Sequence, residues 1–524
     1  MLLNDRRVLL AISLLVLSTS GVPAEISFSS LARATNLTKH GEDLGIQQRV
    51  DDAIAAFEEA STLYQKLVDQ NPKDVEARSK RAACAEKFGD MLVGNSRLDR
   101  AAANYQKSLE IRQALADQDP GNPDRLHDLA MSLARMGRVS ILQHHLSASL
   151  QFYQKACATG DRLVKRDPKN YGWITELAIN ENWVGEILLL LNSYDDGADA
   201  CGLIVDTVST LPEAANSDLG WLAQLTINLD DSASLIVTKG KPEPALRIFQ
   251  TARDLRQQLV QRDGANKDFK RDLAVGLGNI ASLLVSQGEP LEALTVCQEA
   301  VDLLNVLNAA ATNGSKAQLA LGQILETYGS AAELLHRYDE AQEHYDQSAD
   351  VFEKANAKLI TDTEVTQQLC RVLTRFGSLL VSRHRYPDAL NVYQRARTVL
   401  SAAYQANPID PTWGVELTVD LEAIGYVFSA QQMANEALNS YKEANGILEK
   451  LRRLHPESHE LDESFAGTEL ALGKLLREQG ESKDARVAFE QCSQILYHLS
   501  QSGHLDEQGF SWLHEADMQL RQPF

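Results

Sequence analysis

Few residue groupings in this chain of 524 residues could do covalent chemistry. A phosphate-cradling loop needs G-x-x-x-x-G-K-[ST], a zinc-protease helix H-E-x-x-H and a hydrolase elbow G-x-S-x-G; none is present, nor is the signature set of a protein kinase. Gly276 and Gly278 form a lone G-x-G inside a predicted helix, where small residues serve packing. His144, His145, His336, His344 and His384 supply imidazoles, but the carboxylate or Cys partners of a usual site are missing, so no metal and no cofactor is expected. Cys84, Cys157, Cys201, Cys297, Cys370 and Cys492 contain no C-x-x-C pair and are spaced too widely for a zinc site or a disulfide framework. Trp173, Trp221 and Trp413 recur in one phase of the repeat described below, as packing residues do, whereas Trp183 stands outside it. What remains is non-covalent binding, and its residues depend on the elements that position them.

Those elements are set by an internal period of 48 residues. Gly41, Gly89, Gly137, Gly185, Ala233, Ala281, Gly329, Gly377, Gly425 and Gly473 follow one another without insertion or deletion, in a chain with 30 Gly. Twelve residues after each stands a second small residue, as at Ala53, Ala101, Ala341 and Ala389. Sixteen after stands an aromatic or Cys, as at Phe57, Tyr105, Tyr153, Cys201, Tyr345, Tyr393 and Tyr441. Thirty-one after, Pro72, Pro120, Pro168, Pro408 and Pro456 recur.

The pattern predicts a helix hairpin. Small residues at offsets 0 and 12 let two helix backbones approach closely, and the aromatic four residues later lies on the same helical face. Pro then stops the second helix. Seven residues after the first small residue come Ser96, His144, Asn192, Gly240, Gly288, His336, His384 and Gly480, a turn position rich in residues that tolerate a left-handed backbone. A stripe of Leu129, Leu177, Leu225, Leu273, Leu321, Leu369 and Leu417 gives the first helix its buried face.

This small–small–aromatic–small–Pro pattern, seen in Gly89, Ala101, Tyr105, Ser108 and Pro120 and again in Gly377, Ala389, Tyr393, Ala396 and Pro408, resembles the tetratricopeptide repeat. That family's unit is about 34 residues; the extra length here adds about two turns per helix. The long form is similar to the arrays attached to some bacterial membrane-bound serine/threonine kinases. The resemblance implies an all-α fold: a right-handed superhelical solenoid of about ten hairpins over residues 25–505, closed by a capping helix in 506–524. First helices would line its concave face. The fourth repeat departs most from the pattern, with Gly197 and Cys201 where Ala and Tyr are usual.

Residues 1–24 read as an export signal. Arg6 and Arg7 precede an apolar run from Val8 to Leu17, and Val22-Pro23-Ala24 offers a small-x-small cleavage site before Glu25. Cleavage would leave no membrane-inserted segment and would place the protein in the periplasm or outside the cell; the alternative is that the segment stays uncleaved as a membrane anchor. The formal charge is −21, which disfavours nucleic acid as a partner.

Groove-facing positions fall at offsets −6, −3, +1 and +4 from the first small residue. They hold Glu86, Asp90, Arg138, Asn182, Glu186, Asp230, Glu326, Glu333, Arg371, Glu422 and Tyr426, followed by Lys474 and Arg477. Acidic residues dominate, so the expected partner is a protein or peptide segment of basic character. The expected function is a non-enzymatic, exported interaction scaffold. The alternative is a sensor or carrier of a small molecule or glycan, with a pocket near Trp183.

Overall fold

The computed structural model describes residues 24–211, 219–308, 316–356 and 363–522. Among these residues there are 21 α-helices and no strand. Twenty of the helices form ten hairpins in chain order: α1 and α2 (Ala24–Ile46, Val50–Gln70), α3 and α4 (Val75–Gly94, Leu98–Gln118), α5 and α6 (Pro123–Leu142, Leu146–Arg166), α7 and α8 (Tyr171–Leu190, Tyr194–Ser209), α9 and α10 (Gly220–Thr238, Pro242–Arg262), α11 and α12 (Lys267–Gln287, Pro290–Asn308), α13 and α14 (Lys316–Leu334, Tyr338–Asn356), α15 and α16 (Thr363–Ser382, Tyr386–Ala406), α17 and α18 (Pro411–Ala430, Ala434–Leu454), and α19 and α20 (His459–Glu478, Ser482–Gln501). A last helix, α21 (Glu507–Arg521), packs on α20 and α19. The chain divides into two compact units, one up to Phe269 and one from Lys270. The expected signal lies outside the described residues except for Ala24, which opens α1.

The turn inside each hairpin repeats with the period of the sequence. Positive φ values, from 55° to 80°, occur at Gln48, Ser96, His144, Asn192, Gly240, Gly288, His336, His384, Gln432 and Gly480, every 48 residues. A left-handed residue here lets the chain reverse within three residues, and Gly and Asn adopt it at least cost. The histidines His144, His336 and His384 are therefore turn residues, and no cluster of metal-capable side chains occurs among the described residues. Turns between hairpins end in a capping residue: Asp74, Asn122, Asn170, Asp410 and Ser458 each accept a hydrogen bond from a backbone N–H of the following first turn.

The small residue at offset 0 exists for the ring at offset 16. A Cβ on Gly89 would meet Tyr105, one on Gly137 would meet Tyr153, one on Gly377 would meet Tyr393, and one on Gly473 would meet Phe489, all at 2.7 Å or less. The ring also touches the next hairpin: Phe57 stacks on Phe88 at 5.0 Å between ring centres, and Tyr345 meets Phe376 at 6.4 Å. One side chain thus joins both helices of its own hairpin to the first helix of the next. The six cysteines are free; five are buried, and burial pushes the thiols of Cys201, Cys297 and Cys492 up to about 12. They act as small apolar packing groups. Trp413 is buried, and the Trp221 indole donates to the Tyr171 hydroxyl at 2.9 Å.

Candidate functional site

Among the clefts of the described residues, two on the first-helix face, one from each unit, are lined from the same repeat offsets. In the N-terminal unit a cleft of about 480 Å³ is lined by Asp90, Tyr105, Met131, Arg135, Arg138, Tyr153, Ile179 and Trp183 among others, drawn from α3 to α7. In the C-terminal unit a cleft of about 650 Å³ is lined by Val419, Glu422, Tyr426, Tyr441, Gly467, Ala471, Lys474 and Trp512 among others, from α17 to α21. Offset −6 supplies Met131 and Ile179 in one and Val419 and Gly467 in the other. Offset +1 supplies Asp90 and Arg138, then Tyr426 and Lys474.

The first cleft has an aromatic floor. Trp183 lies nearly parallel to Tyr153, with 5.8 Å between ring centres. The Tyr105 hydroxyl donates to Asp90 at 2.6 Å, and the Arg135 guanidinium stands 3.4 Å from the same carboxylate. Burial and the Asp90 carboxylate both raise the pKa of Tyr105, so its hydroxyl remains a donor. Glu176 is held by His127 at 2.9 Å. Arg138 is exposed at the rim.

The structure separates the acidic groove candidates into those that are internally paired and those that are not. Glu86 is 9 % exposed and accepts hydroxyls from Ser108 and Ser132 at 2.6 and 2.7 Å, with Arg112 at 3.3 Å. Burial opposes its ionisation, but Arg112 and the two hydroxyls outweigh that and hold the carboxyl below its usual range. Asp230 is 9 % exposed and pairs with the buried Arg256 at 2.7 Å. Glu326 is 4 % exposed; Arg371 grips it with two hydrogen bonds of 2.9 and 2.6 Å, and Arg375 stands at 3.5 Å. Asn182 is 4 % exposed and donates to Glu186. Glu86, Asn182, Asp230 and Glu326 are thus buried groups rather than open groove positions: the carboxylates at offset −3 are tied to the second helix of their own hairpin, as by Arg112 and Arg256, or to the next hairpin, as by Ser132 and Arg371. Arg371 lies on the face but is committed to Glu326. Glu333 accepts from the Tyr345 hydroxyl at 2.9 Å.

Glu422 differs from the other three carboxylates at its offset. It accepts from the Thr468 hydroxyl, and no cation stands beside it among the described residues. Burial pushes its carboxyl up to about 7, opposed by Thr468. Asp420, two residues earlier, is pushed by burial up to about 8, but its side chain projects roughly 200° around the helix from Glu422. The two carboxyls therefore do not converge into an acid–base pair. The sequence pattern did not single out Trp512, which completes the second cleft from the last helix; its ring abuts Gly467, where a Cβ would meet it at 2.9 Å.

No family model and no curated protein matches the chain. Solved structures with similar backbones include BtubC from P. vanneervenii (13 % identity, 51 % of this chain and 94 % of that one, TM-score 0.38). The S. pombe nuclear import adaptor Nro1 matches at 10 % identity over 58 % of this chain and 99 % of its own, with a TM-score of 0.39. The apo form of RapI matches at 12 % identity over 90 % and 99 %, with a TM-score of 0.33. Likenesses this distant say nothing about function, and the fold rests on the chain's own geometry. Ten helix hairpins of one period, each with a small residue facing the aromatic or Cys of its second helix, make this an all-α, tetratricopeptide-like repeat protein.

Proposed function

We propose that this chain is a non-enzymatic protein-interaction scaffold, exported from the cytoplasm by residues 1–24, that holds a partner segment against its first-helix face. The observation that carries the reading is the pair of clefts built from the same repeat offsets in the two units. Repeat arrays use such faces to hold extended segments, and both clefts combine aromatic walls with a few polar groups, the makeup of a recognition surface. The test places a benzophenone amino acid at Ile179 or Val419, both exposed on the face, and as a control at Leu203 on the second helix α8. Irradiation in the native compartment should join one discrete protein to the first two positions and not to the third. Equal crosslinking at Leu203 would overturn the reading.

A specific feature favours a second reading. Trp183, stacked on Tyr153, forms a flat platform beside Arg138 in the first cleft, a setting suited to a small planar or glycan ligand. Native mass spectrometry of the chain purified from its source would reveal such a ligand as a discrete added mass, and an unliganded mass would remove this reading.

A further inference from the structure

The repeat provides its own comparison for the second cleft. Three carboxylates at offset −3 are each neutralised by arginine from one or more of three stations. The first station lies 26 residues on: Arg112 for Glu86 and Arg256 for Asp230. The second and third lie 45 and 49 residues on: Arg371 and Arg375 for Glu326. For Glu422 the same stations hold Leu448, Gly467 and Ala471. All three cations are missing at once, and Gly467 and Ala471 are small residues that line the open cleft next to Glu422.

A carboxylate set between hairpins with its cation stations vacated costs free energy unless something else occupies them. Here buried Leu448 fills the first station and the Trp512 ring lies against Gly467, while Gly467 and Ala471 carry no cation and leave the cleft open beside Glu422, on the side where Arg371 and Arg375 stand around Glu326. We propose that Glu422 is the receptor for an arginine side chain of the partner, which enters the C-terminal cleft and grips the carboxylate as Arg371 grips Glu326. The Tyr426 and Trp512 rings line the same cleft and provide faces over which a guanidinium packs. Lys474 also lines it, but its ammonium is held by Glu515 at 2.5 Å, and Glu478 adds a second carboxylate to the wall. The cleft therefore favours a cation. This inference rests on the interaction reading above and adds the side chain that is recognised.

Tyr441 from α18 faces Glu422, Thr468 from α19 donates to it, and Tyr426 of α17 with Lys474 and Glu478 of α19 line the rest of the cleft. Because the Glu422 carboxyl sits at about 7, a guanidinium must capture its ionised form, and binding tightens by about tenfold from pH 6 to pH 8.

The experiment uses the whole chain with labelled tryptophan indoles, the Trp512 signal being identified with Trp512→Phe. It is titrated with N-acetyl-arginine amide, and in parallel with N-acetyl-citrulline amide, which keeps the shape and removes the charge. The expected result is a saturable shift of the Trp512 indole with arginine and none with citrulline. Glu422→Gln, which preserves the Thr468 contact and the fold, should weaken the arginine response at least about tenfold. Ala471→Arg, which restores the internal cation, should abolish it. A response equal for citrulline, or unchanged in Glu422→Gln, overturns the proposal. These outcomes are independent of whether Ile179 and Val419 crosslink a partner, so the arginine receptor and the scaffold reading fail separately.

Discussion

The hydroxyl of Tyr105 donates to the carboxylate of Asp90, fifteen residues earlier, at 2.6 Å. At the same spacing the Tyr345 hydroxyl shares a hydrogen bond with Ser330 at 3.1 Å and the Tyr393 hydroxyl with Ser378 at 3.2 Å. The repeat aromatic therefore spans the hairpin: its ring packs on the small residue at offset 0, and its hydroxyl emerges on the groove face beside offset +1. Packing and binding surface are built from one side chain, so changes in the core of a hairpin reach the cleft directly.

The small residue at offset 0 gives the sharpest stability prediction. Gly89→Ala would place a Cβ 2.4 Å from the Tyr105 ring, and overpacking of this kind costs about 1–3 kcal/mol. Gly446→Ala, in the middle of α18 with nothing within 4 Å of the new Cβ, should stabilise the chain by about 0.5–1 kcal/mol. Urea denaturation midpoints of the two variants should move in opposite directions.

The hairpin turns give the second. Gln432 holds φ at 62°, a conformation that an L side chain adopts at a cost of about 1 kcal/mol. Gln432→Gly should raise stability by up to that amount, whereas Gly480→Val, at φ 80°, should lower it by more. Thermal melts of both variants check the pair.

The third concerns Arg112, which ties α4 to Glu86 on α3 and to Asp128 on α5. Arg112→Leu reproduces the Leu448 arrangement around Glu422 and leaves Glu86 buried without its main cation. Breaking a buried pair from one side costs about 3–5 kcal/mol. The Glu86 carboxyl, now held below its usual range, should rise, as followed by carboxyl-carbon NMR through a pH titration.

The fourth is a pH dependence of opposite sign in different hairpins. Burial raises Asp420 to about 8 and Glu422 and Glu469 to about 7, against about 4 in an unfolded chain. The folded state therefore holds these protons more tightly, and their contribution to stability is largest at low pH and is lost as pH rises from about 4 to about 8. Glu86 runs the other way: its contribution is present above about pH 4 and is lost as pH falls through its lowered value. Amide exchange protection in α17 should fall between pH 5 and pH 8. In Asp420→Asn that fall should flatten, with α17 better protected at pH 8 than in the parent.

The sequence by itself determined the period, the hairpin and the turn residue. Each is a local requirement that recurs within one 48-residue unit: a small residue opposite a ring, a left-handed residue between two helices, and a Pro that stops the second helix. It also placed Asp90, Arg138, Glu422 and Tyr426 on the phases that line the clefts. The tertiary structure decided which charges are spent and which are available. Whether a carboxylate at offset −3 is satisfied depends on a cation arriving from the same hairpin's second helix or from the next hairpin. Glu86, Asp230 and Glu326 receive one and Glu422 does not, a distinction invisible in residues that look alike along the chain. Trp512 joins the second cleft for the same reason: its position is fixed by how the last helix packs on α19, and the periodic pattern assigns it no role.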